Sequence, residues 1–139
     1  MKISCLVESK VDISIAQKAT DQAVRQGLRD TIVAVHGDAV RNSPVSATYP
    51  SISKTERRPT GNNKRSINAA VAGLGHVGGN GRQESLLDET KQEAVVYCTS
   101  GYGGYLEVGT SRMAARPYAR PAADLHGKEL PTNIRKHMK

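Results

Sequence analysis

The feature that most constrains this chain is an apolar stripe that recurs at helical spacing in its first third. The stripe consists of Val24, Leu28, Thr31, Ile32, Val35 and Ala39. Because this spacing places the residues on one side of an α-helix, it predicts a long amphipathic helix that buries that side against a second layer. Asp12 or Ser14 can cap the start of the helix. Its end is predicted at Ser43, since the residue before Pro44 is disfavoured in the α region.

Two segments with strand-like composition supply the second layer. They are residues 66–72 (SINAAVA) and 93–99 (EAVVYCT), and the latter has β-branched and aromatic residues at its centre. We expect the two to pair as an antiparallel hairpin. Between them, residues 73–81 contain five glycines, which predict a flexible loop without regular structure over residues 73–89.

The first residues of the chain carry a weaker period of two. Ile3, Cys5 and Val7 alternate with Lys2, Ser4 and Leu6. This alternation predicts a short N-terminal strand. The apolar run is interrupted at Glu8, too early for a secretory leader, and no segment approaches the length of apolar chain that spans a membrane. We therefore expect an unprocessed, soluble protein made in the cytoplasm.

The last third predicts a helix that begins at Arg116-Pro117 or at Arg120-Pro121, because proline suits the first turn of a helix. Gly127 and Pro131 are expected to weaken or kink it.

Length and composition complete the fold prediction. The 139 residues suffice for one domain, residues 1–139, of the α+β class. In this domain a long N-terminal amphipathic helix packs on a small antiparallel sheet and a helix follows at the C-terminus. Trp and Phe are absent, so large apolar side chains are scarce and burial by partner subunits is expected.

The charge of the chain favours an acidic partner. Twenty Lys and Arg against 13 Asp and Glu give a net charge of +7, which is suited to nucleic acid or an acidic surface. Residues 43–65 combine prolines with basic residues and predict an exposed basic loop. Five side chains there are candidates for facing DNA without reading its sequence: Lys54, Arg57, Arg58, Lys64 and Arg65.

No motif nominates an enzyme. The GxGxxG pattern at residues 73–78 is followed by more glycine where a phosphate-binding helix must begin. The four histidines lack metal-ligand spacing, the two cysteines are far apart, and no nucleophile motif occurs. We therefore predict no catalytic residue, no metal and no cofactor.

Residues 105–122 read YLEVGTSRMAARPYARPA. This run resembles the hallmark of the long-tailed phage tail-completion, or head-tail joining, family of minor tail components, whose members typically show Y-x-E-x-G-T-S, then M-x-A-R-P, an aromatic residue and x-R-P-A. A second family element, S-P-V followed by T-G-x-x-K/R-x-S-I, is matched at residues 43–45 and 60–67. The family joins these two parts almost directly, so we interpret residues 46–59 as a loop insertion. Ala114 stands where proline is frequent and Asn63 where an apolar residue is common.

The resemblance implies a structural virion protein, not an enzyme. It would form a homo-oligomeric ring, with six subunits expected, at the neck between head and tail and around the DNA channel. Its partners would be further copies, connector proteins, and tail-tube or tail-terminator proteins, with non-specific DNA contact, no membrane, and assembly in the host cytoplasm. The residues expected at the subunit interface are Tyr105, Glu107, Gly109, Thr110, Ser111, Arg112, Met113, Arg116, Pro117, Tyr118, Arg120 and Pro121.

Three alternatives stay open from the residues alone. Arg112, Arg116 and Arg120 recur every four positions, and their simplest interpretation is ion pairing with Glu107 and other acids, within or between subunits. The whole chain is alternatively a small basic nucleic-acid-binding protein that acts as a monomer or dimer. A ribonuclease-like toxin has a similar size and charge, but no general base is nominated here.

Overall fold

The computed structural model describes residues 13–44, 61–79 and 87–138. Its elements in chain order are helix α1 (Ile13–Asn42), helix α2 (Asn62–Arg65), strands β1 (Ile67–Val71), β2 (Gly75–Gly78) and β3 (Ala94–Cys98), and helices α3 (Gly103–Val108), α4 (Ala119–His126) and α5 (Leu130–His137), with a 3-10 turn at Gly127–Glu129 between the last two. The α+β prediction is confirmed: α1 packs on a three-stranded antiparallel sheet and C-terminal helices follow. The predicted strand at residues 3–7 and the insertion at residues 46–59 lie outside the described residues.

The long helix α1 is the element on which the others pack. It contacts the sheet, α4 and α5. Its buried residues are Ala23, Gly27, Thr31, Val35 and Ala39. The helix ends as predicted, with the Ser43 backbone N–H donating to the Ala39 carbonyl at 2.9 Å. Three residues of the predicted stripe are only half-buried: Val24, Leu28 and Ile32.

The sheet has the order β2-β1-β3 and both pairings are antiparallel. The predicted pairing of β1 with β3 is confirmed, with Ile67 opposite Cys98 and Val71 opposite Ala94. Because β1 is the central strand, the side chains of Ile67, Ala69 and Val71 are at most 1% exposed. These alternate residues share one face of the strand, and α1 covers the sheet.

The glycine-rich stretch is partly regular, so the prediction of a loop without structure was wrong over β2. Gly73 and Gly75, with φ of 76° and 72°, turn the chain so that β2 folds back along β1. A Cβ atom on Gly78 would lie 3.0 Å from the His36 ring. Gly79 has φ of 93°, and a Cβ there would collide with the Ile67 carbonyl oxygen. Glycine therefore permits close packing here instead of preventing order.

The C-terminal region forms two helices joined by the 3-10 turn. α4 begins at Ala119, with Pro121 in its first turn, as the second Arg-Pro pair predicted. The regular α-helix is interrupted at Gly127, which fits the expected weakening there. α5 then lies against α1 so closely that a Cβ atom on Gly27 would sit 2.5 Å from Ile134 Cγ1.

Two glycines of α1 provide a matched test of this close contact. Gly27→Ala should destabilise the protein, because overpacking costs about 1–3 kcal/mol and exceeds the helix gain of roughly 0.5–1 kcal/mol. Gly37→Ala should stabilise it, since no atom lies within 4 Å of the added Cβ. Urea unfolding of both variants checks the difference. Equal effects would show that α5 does not pack on Gly27.

Candidate functional site

The candidate site is the segment from α3 to the start of α4, which carries the family-like motif. Its centre is the Glu107 carboxylate. Glu107 Oε2 accepts hydrogen bonds from the backbone N–H groups of Tyr118 at 2.9 Å and Ala119 at 3.1 Å, and Oε1 accepts from the backbone N–H of Arg120 at 2.8 Å. These donors have no partner inside α4 because they stand in its first turn. Glu107 therefore caps α4 from a separate helix.

The pKa of Glu107 follows from this arrangement. Burial favours the neutral acid and raises the pKa, but the three backbone N–H donors, together with the nearby charge of Arg120, outweigh burial and hold the pKa below its ordinary value. The carboxylate also lies at the positive end of the α4 dipole, which favours its negative charge. The ionised form of Glu107 is thus part of the fold.

A tight turn connects Glu107 to the residues it caps. Gly109 has φ of 77° and ψ of 178°, a region open essentially to glycine alone. A Cβ atom there would lie 2.7 Å from the backbone nitrogen of Ala115. Thr110 and Met113 form an isolated antiparallel bridge, and the Arg112 backbone N–H donates to Thr110 Oγ1 at 3.3 Å. The Arg116 backbone N–H donates to the Leu106 carbonyl at 2.7 Å and holds the end of the turn against α3.

A polar cluster near this segment links the two parts of the second family-like element, residues 43–45 and 60–67. Asn63 is 3% exposed and donates through Nδ2 to Ser43 Oγ at 3.0 Å. Its Oδ1 accepts from Ser100 Oγ at 2.8 Å and from the Cys98 thiol at 3.0 Å. The Asn63 backbone N–H donates to the Tyr102 hydroxyl at 2.9 Å. The asparagine that departs from the family pattern is therefore the centre of a satisfied buried network.

Tyr118 connects this network to the motif. The side chain is 4% exposed and belongs to the hydrophobic core with Val35, Ala39 and Ile67. Burial raises the pKa of its hydroxyl to about 12. A Cβ atom on Gly103 would lie 2.6 Å from the Tyr118 hydroxyl oxygen, so glycine at that position lets α3 approach the ring.

The ion pairs predicted for the motif arginines, within or between subunits, do not form within the described part of this chain. Arg112, Arg116 and Arg120 are exposed, and within the described ranges none makes a salt bridge. Glu107, their expected partner, accepts backbone N–H donors at both carboxylate oxygens instead. Ion pairing of these arginines between subunits stays a prediction.

The outer surface of α3 is apolar. Tyr102, Tyr105 and Val108, spaced by three residues, are 40%, 60% and 70% exposed. The motif thus presents an apolar helix face together with three arginines. The other predicted interface residues lie on the same segment: Thr110, Ser111, Pro117 and Pro121 are exposed, and Met113 is half-buried.

The predicted DNA-facing residues are only partly described. Lys54, Arg57 and Arg58 lie outside the described residues. Lys64 and Arg65 belong to α2, a single helical turn where the sequence predicts an exposed basic loop. Asn63 anchors this turn to the protein body, so the backbone that carries Lys64 and Arg65 is held in place.

Histidine and carboxylate side chains pair in a way that the sequence analysis missed. His126 Nε2 lies 2.7 Å from Asp38 Oδ2 and its Nδ1 lies 3.3 Å from Glu129 Oε2. His137 Nε2 is 2.8 Å from Asp30 Oδ2. The hydrogen bond to His126 is the main cause that lowers the pKa of Asp38, and in turn it raises the pKa of His126. These contacts fasten the C-terminal helices to α1.

Neither a metal site nor a membrane span occurs in the described part of the chain. No group of three or more His, Cys, Asp or Glu residues there is arranged to hold a metal ion. None of the described helices is long and apolar enough to cross a membrane. The half-buried thiol of Cys98 is unpaired with another cysteine.

Comparisons with protein-family models, with curated proteins and with solved structures found no match to this chain. The resemblance to the tail-completion family therefore stays a prediction from the motif residues.

The Gly109 turn can be tested against a neighbouring glycine. Gly109→Ala should lower the free energy of unfolding by about 1–3 kcal/mol, because the backbone conformation is costly for any residue with a Cβ. Gly104→Ala is the control, since its Cβ would meet nothing within 4 Å. Thermal unfolding of the two variants measures the difference. A silent Gly109→Ala would contradict the turn.

The Glu107 cap predicts a pH dependence. Glu107→Gln should cost about 0.5–2 kcal/mol at pH 7, the range for loss of a helix N-cap. Because the folded-state pKa is depressed, the wild-type advantage is present above the unfolded pKa of about 4.3 and disappears as the pH falls through the folded value. Urea unfolding at pH 7 and pH 3 checks this, with the exposed Asp124→Asn on α4 as control. An advantage that is equal at both pH values would exclude the charged cap.

Proposed function

We propose that this chain is a structural virion protein that forms a homo-oligomeric ring at the head-tail junction of a tailed phage, around the DNA channel. The observation that carries the proposal is the build of the family-like motif. The Glu107 cap and the Gly109 turn fix the backbone of the segment, while its apolar α3 face and its three arginines remain exposed. A segment that is held rigidly and left uncovered is suited to contact another subunit.

A head-to-tail arrangement needs carboxylates on a second face of each subunit to receive the motif arginines. The motif follows the C-terminal end of β3. Several acids surround the opposite end of β3, where Gln92 bonds Asp21 and the Asp88 backbone N–H bonds Glu93. Arg25 and Lys91 lie among these acids, so the patch is mixed in sign. A heterologous ring joins two different faces of each subunit, and the motif arginines would find carboxylates there.

Arg116→Ala provides the test of this interface. We expect the wild-type protein to assemble into rings of about six subunits, measured by light scattering and negative-stain images, as the family resemblance implies. Arg116→Ala should weaken assembly while its thermal unfolding is unchanged, because the side chain is exposed. Arg135→Ala, which removes an exposed arginine of α5, is the control and should assemble normally. Unimpaired rings of Arg116→Ala would refute the interface.

The alternative is a small basic nucleic-acid-binding protein. It is favoured by the net charge of +7 and by Lys64 and Arg65, which stand on the anchored turn α2. Under this alternative the same wild-type sample would be a monomer or dimer that binds DNA with a steep dependence on salt. Under the ring proposal, Arg57→Glu with Arg58→Glu should disturb DNA retention and leave the rings intact. Mass and salt dependence thus separate the two functions.

A further inference from the structure

Among the described strands, β3 lies at an edge of the sheet and pairs with β1 alone. Hydrogen bonds from Ala72 N to the Glu93 carbonyl and from Thr99 N to the Ser66 carbonyl, both 2.9 Å, set the ladder between β1 and β3. In an antiparallel pair the bonded residues alternate, so Val95 and Tyr97 direct their backbone groups to β1. The backbone groups of Ala94 and Val96 therefore point away from the sheet. Within the described ranges no backbone hydrogen bond reaches them.

An apolar groove of about 390 Å³ follows this edge. β3 forms one side from Ala94 to Val96, α4 forms the other, and α1 forms the floor. The floor includes Leu28 and Ile32, two residues of the stripe that predicts the helix core. They are only half-buried. A free strand edge beside uncovered core residues is a site for one more strand.

We propose that residues 3–7 of this chain dock on the free edge of β3 as a fourth, antiparallel strand and cover the groove. The occupant is argued from the sequence and from where α1 begins. Residues 1–12 precede Ile13, and among them Ile3, Cys5 and Val7 have the alternation of a strand with one apolar face. Glu8 follows directly and ends the apolar alternation.

The direction of the chain fits antiparallel pairing. Gln92, just before β3, contacts Asp21 of α1, and Ile67, opposite the end of β3, contacts His36. β3 thus runs in the same direction as α1. Ile13, at the start of α1, therefore lies toward the start of β3. A strand that precedes Ile13 and lies over the groove runs toward Ala94, which makes it antiparallel to β3.

The length of the segment is sufficient. From Ile13 to Leu28, α1 advances about 22 Å at 1.5 Å per residue. The residues before Ile13 reach at most about 40 Å when extended, at roughly 3.3 Å per residue. Residues 8–12 can therefore serve as the connection while Val7 lies beside Ala94 and Cys5 beside Val96. In this register Cys5 and Val7 share a face with Ala94 and Val96, the side toward α1 and the groove.

Amide hydrogen exchange of the full chain, followed by NMR, tests the docking. The amides of Ala94 and Val96 should be protected as well as that of Val95, which bonds β1 in any case. Val7→Asp should speed exchange at Ala94 and Val96 by roughly tenfold or more, with Val95 unchanged as the internal control for folding. Ser4→Asp, on the opposite face of the strand, should leave all three protected. Rapid exchange of Ala94 and Val96 in the wild-type protein would overturn the proposal.

Protection that survives in Val7→Asp would also overturn it, because a second copy or another segment would then cover the edge. The mass of each sample is measured alongside. If the wild-type amides are protected but no rings form, the proposed function is contradicted and the strand is not. If rings form but the amides are unprotected, the strand is contradicted and the proposed function is not.

A disulfide provides a second, independent test. In a Cys98→Ser background, Val96→Cys should form a disulfide with the native Cys5 on mild oxidation, since the paired Cα atoms of antiparallel strands are about 5.5 Å apart. Val95→Cys faces the other side of β3 and should not. Mixing isotope-labelled and unlabelled chains tells whether the strand comes from the same chain or from a neighbour. No disulfide at position 96 would contradict the register.

Discussion

Every fourth residue of α1 from Ala23 to Ala39 is buried, and the sheet and the C-terminal helices pack along this line of residues. An α-helix turns about 100° per residue, so a step of four rotates the buried line by about 40° each time. The line therefore meets α5 near Gly27 and meets the sheet and α4 near Ala39. Its residues are mostly small, which lets neighbouring backbones approach. In a chain without Trp or Phe, close backbones take the place of large side chains in forming the core.

The elements that local pattern determines were predictable. The stripe of α1, the β-branched centre of β3 and the proline in the first turn of α4 all act through their own neighbours in sequence, and the structure has helix, strand and helix there. β2 was not predictable from local pattern, because a glycine-rich run favours a loop. The role of these glycines depends on what lies opposite: Gly78 faces the His36 ring and Gly79 the Ile67 carbonyl, contacts that no local pattern reports.

The candidate site was likewise predictable only where local sequence determines it. The motif residues were identified from sequence, but the role of Glu107 was not, because its partners are backbone N–H groups and carry no residue signature. The absence of Ser, Thr, Asp or Asn at the start of α4 was the available signal, since that helix needed a cap from elsewhere. The pairing of His126 with Asp38 spans 88 positions, and only the packing of α4 on α1 brings these groups together.

The apolar groove beside β3 and the apolar face of α3 differ in what can cover them. The groove beside β3 combines apolar side chains with backbone donors and acceptors that have no partner within the described ranges, so an extended segment is the occupant that satisfies both. The face of α3 has its backbone bonded within the helix and offers the side chains of Tyr105 and Val108 alone, which suits the packed surface of another subunit. The two surfaces lie on different elements of the fold. None of the residues that line the groove belongs to α3, so closing the groove leaves the α3 face open for assembly.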